Sequence, residues 1–278
     1  MESVINYLTD RYNQGDKYNT LNIHRSAISA FHELVDGLKV GQHPSVKAIM
    51  SAFFNVRPPL PRYECTWDVD SVLEHILSLG ENKGLALKQL TFKLTMLLAL
   101  ACAGRSSDLS AFDIRYLKWD EEDKVVFTLA KLTKSRRKGT PPLKMEIHAF
   151  KDTQDLCVIT TLKAYLDRTS QFRKRSDDYS RDQLLLSFVE PHKPVVPCTI
   201  AGWLLKLMAE AGVDTEEFKA HSTRGASTSK AAAKGLSCKE ILAMAKWKKQ
   251  ATFFRFYHRE IDKSQPKSRP FGSVVLTS

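Results

Sequence analysis

A disulfide framework, metal-ligand spacings, membrane-length apolar runs, internal repeats and low-complexity tracts are all missing from this sequence of 278 residues. Its five cysteines (Cys65, Cys102, Cys157, Cys198, Cys238) are scattered, with no CxxC pair and no cluster with His, Asp or Glu at metal spacing. An odd, dispersed set fits a reducing compartment and argues against a disulfide scaffold or a structural metal. Cys102 sits in an apolar run and is expected in the core. The longest apolar stretch, "LTMLLALACAG" at 94–104, is shorter than a bilayer requires and reads as a buried helix. The first residues carry no signal-peptide pattern. The expectation is therefore a nuclear protein if the source is eukaryotic, a cytoplasmic one otherwise, with no membrane partner and no secretion.

Acidic residues are also scarce in particular places. Lys and Arg number 42 against 31 Asp and Glu, giving a net charge of +11 and a pI near 9.4. Residues 124–145 contain seven basic side chains and no acid, and Phe218–Arg259 contains ten with Glu240 as the single acid. Each block alone reads as a solvated face. Together they favour a polyanionic partner. With 43% hydrophobic and 26% charged residues, the chain has the profile of an ordinary globular protein.

The periodicity is mostly helical. "VINYLTDRY" is amphipathic, and "TLNIHRSAISAFHELVDGL" places Leu21, Ile28, Phe31, Leu34, Val35 and Leu38 at helical spacing. "HPSVKAIMSAFFNV" follows, with Pro44 suited to a first helical turn. "RPPLPRYECTW" has three prolines in four positions and marks a domain boundary. Beyond it, "TWDVDSVLEHILSLG" reads as a capped helix closed by Gly80, and 84–104 as a longer buried one. "KVVFTLAKL" and "LKMEIHAF" are β-type runs around the polar turn "TKSRRKGTPP", which predicts a hairpin with a basic tip. Helices return with "TIAGWLLKLMAEAGV", with "KAHSTRGASTSKAAAKG" closed by Gly235, and with "SCKEILAMAKW", which opens on a Ser237–Glu240 capping box. "ATFFRFYHRE" is the last. The expected fold is mainly α with a small antiparallel β-sheet.

Five polar positions stand out. Arg105 follows the buried helix, Lys134 lies in the basic hairpin, and His221 and Arg224 are three residues apart at a helix start, where both can face one side. Tyr257 lies ten residues beyond Trp247 in the last helix. Each has an ordinary structural explanation by itself: a helix cap, a half-buried histidine, a core aromatic. The ordered set Arg, Lys, His-x-x-Arg, Trp, Tyr is what departs from chance.

That set resembles the tyrosine recombinase (phage integrase) family. "LLALACAGRSSDLSAF" is similar to the family's first arginine box, "AHSTRGASTS" to its HxxR box, and "AKWKKQATFFRFYHR" to the box ending in the nucleophilic tyrosine. The resemblance covers roughly the whole chain. Many relatives have histidine at the position of Trp247 and a gap to the tyrosine one shorter, so the pattern is most similar to recombinases of eukaryotic mobile elements. It implies a helical core-binding domain at 1–57, a Pro-rich linker at 58–63, a catalytic domain at 64–262, and a tail at 263–278 that exchanges between subunits.

The implied chemistry is transesterification of a phosphodiester without metal or cofactor. Tyr257 attacks and holds the strand as a 3′-phosphotyrosine. Arg105 and Arg224 offer rigid donor forks to the phosphate oxygens, where one donor is typically worth about 3 kcal/mol in the transition state. The resemblance gives His221 a hydrogen-bonding or proton-transfer role, and gives Trp247 an indole N–H for a phosphate oxygen. Lys134 then protonates the leaving 5′-oxygen, with Lys131 the alternative because hairpin register is open. Asp108 holds Arg105. Arg25, Lys131, Arg136, Arg137 and Lys248 are expected to contact double-stranded DNA, and the protein to form a tetramer on paired sites. Competing readings are a recombinase-like fold kept only for DNA binding, a nicking-and-closing topoisomerase, and a basic helical scaffold for RNA or acidic proteins. The last leaves the ordered set to coincidence.

Overall fold

The computed structural model describes residues 1–60, 62–120, 123–131, 139–150, 152–173, 182–247 and 250–262. The chain forms two compact units, Met1–Arg62 and a larger one beginning at Tyr63. Lys134, Arg136, Arg137 and Lys248, expected at the DNA, lie outside the described residues, as does the tail 263–278.

The first unit packs three helices, α1 (Glu2–Asn13), α2 (Tyr18–Phe31) and α3 (Pro44–Val56). Val4, Leu8, Leu21, Val46, Met50 and Phe53 fill its core. Tyr12 stacks on Phe53 at 4.2 Å, and the Arg57 guanidinium lies 4.1 Å from the Tyr12 ring, closing α3 against α1. The helix read through Leu38 ends earlier. His32 turns extended after Phe31, and positive φ at Asp36 and Gly37 forms a tight reversal bridging Val35 and Leu38. Phe31 and Leu34 are exposed rather than on a buried helical face.

The larger unit starts with a short strand, β1 (Cys65–Trp67), where a helix was expected to begin. Asp68 then caps α4 (Val69–Ser78), accepting the Asp70 N–H at 3.0 Å, and Gly80 ends that segment with φ 86°. α5 (Leu87–Ala101) is buried almost all round and packs on α7 (Val158–Arg173), α8 (Pro197–Glu210) and α9 (Ser222–Ala233). The apolar set Ile200, Trp203, Leu204, Leu207 and Met208 gives α8 one inward stripe. α6 (Ser106–Leu109) is a single turn after α5.

The expected hairpin is part of a three-stranded antiparallel sheet, β2 (Leu117–Asp120), β3 (Lys124–Leu129) and β4 (Leu143–His148), in that order. Lys124 pairs with His148 and Leu129 with Leu143, so Val125, Phe127, Leu129, Met145 and Ile147 all face the core. Phe127 stacks on Phe112 at 4.2 Å. The chain closes with α10 (Cys238–Met244), α11 (Gln250–Phe256) and β5 (Glu260–Asp262), which pairs in parallel with β1. The Ser237–Glu240 capping box at the start of α10 is present as read. The fold is thus mainly α with a small antiparallel sheet, plus a parallel strand pair that sequence periodicity did not indicate.

Candidate active site

Helix α9 organises the site. Its stretch of Ala, Ser, Thr and Gly lets neighbouring segments approach closely, and its buried face carries Arg224, 2% exposed. A buried guanidinium needs acceptors. Nη1 donates to the carbonyl of Ala103 at 2.7 Å, and Nη2 donates to that of Ala245. These carbonyls lie at the C-terminal ends of α5 and α10, where helix dipoles present negative charge. Two residues at these turns, Ala103 (φ 44°) and Lys246 (φ 55°), adopt left-handed backbone without being glycine. The cost of that conformation, ~1 to 2 kcal/mol per residue, is borne beside the arginine's two acceptors.

Arg224 keeps its Nε–H without a partner among the described residues, although that atom is buried. Desolvation first, then the charge of Arg105, pushes its pKa down to about 10. It remains charged at neutral pH, so the folded site holds a destabilised cation there. An arriving anion offsets both by stabilising the charged form.

Arg105 precedes α6 and is partly exposed. Asp108, buried, accepts its backbone N–H at 3.1 Å and lies 3.6 Å from its guanidinium. The Arg105–Asp108 pairing expected from the sequence is present in the fold. Gly104 between the two turns is tight: a Cβ there meets Cys102 Sγ at 2.9 Å. Burial pushes the Cys102 thiol up to about 12, and it donates to the Leu98 carbonyl as an inert core group.

His221 stands at the N-cap position of α9 without a side-chain capping bond and is exposed; its Nε2 lies 3.2 Å from the Tyr257 hydroxyl. With Nε2 unprotonated, the phenol donates. Tyr257 follows α11 and stacks on Trp247 at 4.3 Å with 24° between planes. The Arg224 guanidinium lies 4.7 Å from the Trp247 ring, within cation–π range, and 5.8 Å from that of Tyr257. The Trp247 indole nitrogen is buried and has no hydrogen-bond partner among the described residues. Arg105, Asp108, His221, Arg224, Trp247 and Tyr257, spread over 153 positions of sequence from 105 to 257, therefore converge on one place. Two cations, two unpaired donors and a phenol on an imidazole can bind a phosphate and attack it.

Two of the remaining expected residues are described. Lys131 is exposed just beyond β3. Arg25 belongs to the first unit, on α2, beside Ser29, Lys39 and Gly41 in a shallow groove. Among the described residues no group of three or more His, Cys, Asp or Glu could hold a metal, and no helix is long and apolar enough to cross a membrane. Sequence reasoning missed the groups that hold the site: the carbonyls of Ala103 and Ala245, Ser222, Ser229 and β5. None carries a local signature.

The sequence matches no family model and no curated protein. Solved structures do match. One is the Tn1549 transposon integrase in complex with transposon right-end DNA, 13% identical over 92% of this chain and 80% of that one, with a TM-score of 0.61. Another is the XerH site-specific recombinase bound to a palindromic difH substrate, 13% identical over 91% and 68%, TM-score 0.60. A third is lambda integrase, seen as a dimer on a COC′ core site (15% identical over 97% and 83%, TM-score 0.52) and as a tetramer on a Holliday junction.

Proposed function

We propose that this chain, which has the tyrosine recombinase catalytic fold preceded by a small helical unit, is a site-specific DNA recombinase that cuts and rejoins strands through a covalent 3′-phosphotyrosine at Tyr257. The observation that carries the reading is the Tyr257 hydroxyl on His221 Nε2, beside the buried Arg224 whose Nε–H has no acceptor among the described residues. A pure DNA-binding protein has no use for a phenol held there.

In this reaction Arg105 and Arg224 hold the non-bridging oxygens and the Trp247 N–H adds a donor. Tyr257 Oη forms a bond to phosphorus as the P–O5′ bond breaks. The phenolic proton passes to His221 or to solvent, and the leaving O5′ takes a proton from Lys134 or Lys131. Attack by another strand's 5′-hydroxyl reverses the step and exchanges partners. All positive charge at the phosphate comes from side chains, so neither metal nor cofactor is required. Backbone contacts from Arg25, Lys131, Arg136, Arg137 and Lys248 make binding strong and salt-dependent. The division into a core-binding domain at 1–57, a linker at 58–63, a catalytic domain at 64–262 and a tail at 263–278 belongs to the same reading. So does a tetramer on paired sites, which the lambda integrase tetramer on a Holliday junction supports.

The test uses a pool of nicked duplexes of randomised sequence, in which the short cleaved strand diffuses away and traps the intermediate. Protein–DNA adduct is expected in EDTA and mapped to Tyr257. An adduct that persists in Tyr257→Phe, or none from the wild-type protein, overturns the proposal; binding without adduct identifies a DNA-binding protein of recombinase fold.

A further inference from the structure

Three consecutive hydroxyls lie along α9, and they do different things. Ser227 Oγ and Thr228 Oγ1 both donate back to the Arg224 carbonyl, at 3.3 and 2.8 Å, the usual fate of such groups inside a helix. Ser229 does not. Its Oγ donates to the Tyr257 carbonyl at 2.7 Å and accepts the Arg259 N–H at 3.1 Å. Ser229 is 3% exposed, so little water competes for either bond.

His221, Gly225 and Ser229 follow one another at intervals of four residues and form one stripe of the helix. Tyr257 runs along that stripe. Its hydroxyl meets His221, its ring edge passes 3.9 Å from where a Cβ on Gly225 would sit, and its carbonyl meets Ser229. Trp247 fixes the plane of the phenol by stacking. What remains to be fixed is the main chain from which the side chain departs, and Ser229 bonds it on both sides of His258.

We propose that Ser229 is the positioning residue for the nucleophile: by bridging the Tyr257 carbonyl and the Arg259 N–H it sets where the Tyr257 Cα stands relative to Arg224 on the same helix. This rests on the recombinase reading for its consequence in the reaction, while the anchoring itself is independent of it. The same helix thereby carries the phosphate-binding charge, the partner of the phenol and the root of the tyrosine.

The test compares Ser229→Ala and Ser229→Thr with wild type in three measurements: single-turnover adduct formation on the nicked duplex pool, affinity for an intact duplex, and amide hydrogen exchange across 257–262. Ser229→Ala is expected to slow adduct formation roughly tenfold to hundredfold, the scale of a nucleophile misplaced by about 1 Å. Duplex affinity stays near wild type, the unfolding midpoint drops while the protein remains folded at the assay temperature, and the Arg259 amide exchanges faster. Ser229→Thr, which keeps the hydroxyl, recovers most of the rate. Wild-type rates in Ser229→Ala overturn the proposal, as does a loss shared equally by affinity and folded fraction. If wild type forms no adduct, the recombinase reading falls, and unchanged Arg259 exchange in Ser229→Ala then separately overturns the anchor.

Discussion

Trp67 donates its indole N–H to Ser222 Oγ at 2.8 Å, joining β1 to the helix that carries His221 and Arg224. Both residues are buried. Ser222→Ala leaves the N–H unpaired in the interior and is expected to lower unfolding free energy by about 1 to 3 kcal/mol. Trp67→Phe and the double variant complete a cycle in urea unfolding. A coupling indistinguishable from zero would mean that the bond contributes nothing to stability.

Trp247→Phe separates stability from chemistry. The substitution keeps an aromatic ring against Tyr257 and Arg224 and removes a buried N–H that has no partner among the described residues. Removing an unsatisfied donor is close to neutral in the free protein, so the urea midpoint should stay near that of wild type. Adduct formation is expected to slow, its activation free energy rising by about 3 kcal/mol, the cost of one lost donor to the transition state. Equal adduct rates for Phe and Trp would assign the ring a packing role alone.

The leaving-group proton is tested by substituting the hairpin lysines. Lys134→Ala is expected to slow cleavage of ordinary DNA strongly, and to matter far less when sulfur replaces the bridging 5′-oxygen, since a thiolate leaves without a proton. Rescue of Lys131→Ala by the sulfur substrate, and not of Lys134→Ala, transfers the role to Lys131.

In the proposed tetramer, assembly is expected to depend on "FGSVVL" near the end of the sequence, an apolar segment that gains from burial. Deleting residues 270–278 is expected to leave single-site binding nearly intact while abolishing the paired-site tetramer, with Phe271, Val274, Val275 and Leu276 as the residues passed to a neighbour. Native gel shifts on one and two sites distinguish this from a tail that docks on its own subunit, for which paired complexes survive.

The legible parts of the molecule were those with a local cause. The stripe on α8, the capping box of α10 and the alternation in β3 and β4 each follow from neighbouring residues. Arg105, Asp108, His221, Arg224, Trp247 and Tyr257, singled out by their order along the sequence, also lie together in the fold. What stayed hidden depends on contacts distant in sequence. Strands β1 and β5 are three residues each and exist only through one another. Helix α7 went unassigned although Val158, Ile159, Leu162 and Tyr165 are its buried face. The overrun of α2 has the opposite cause: apolar periodicity continued past Phe31 where Asp36 and Gly37 turn the backbone. Ala103 and Lys246 adopt left-handed backbone with no glycine to announce it, and the Arg224 acceptors at these turns follow from the tertiary arrangement.

The pairing of β5 with β1 also orders events in time. Thr66 lies opposite Ile261, so this contact closes nearly the full length of the larger unit. Pairings of such long range form late in folding because loop closure opposes them until the rest is in place. The helices that hold Arg105, His221 and Arg224 lie between those two strands and can assemble first; the tyrosine arrives with the final closure. Pulse-labelled hydrogen exchange should find the amides of 65–67 and 260–262 among the last protected. Under the proposed function, the arginines that hold a phosphate are then in place before the tyrosine that attacks it.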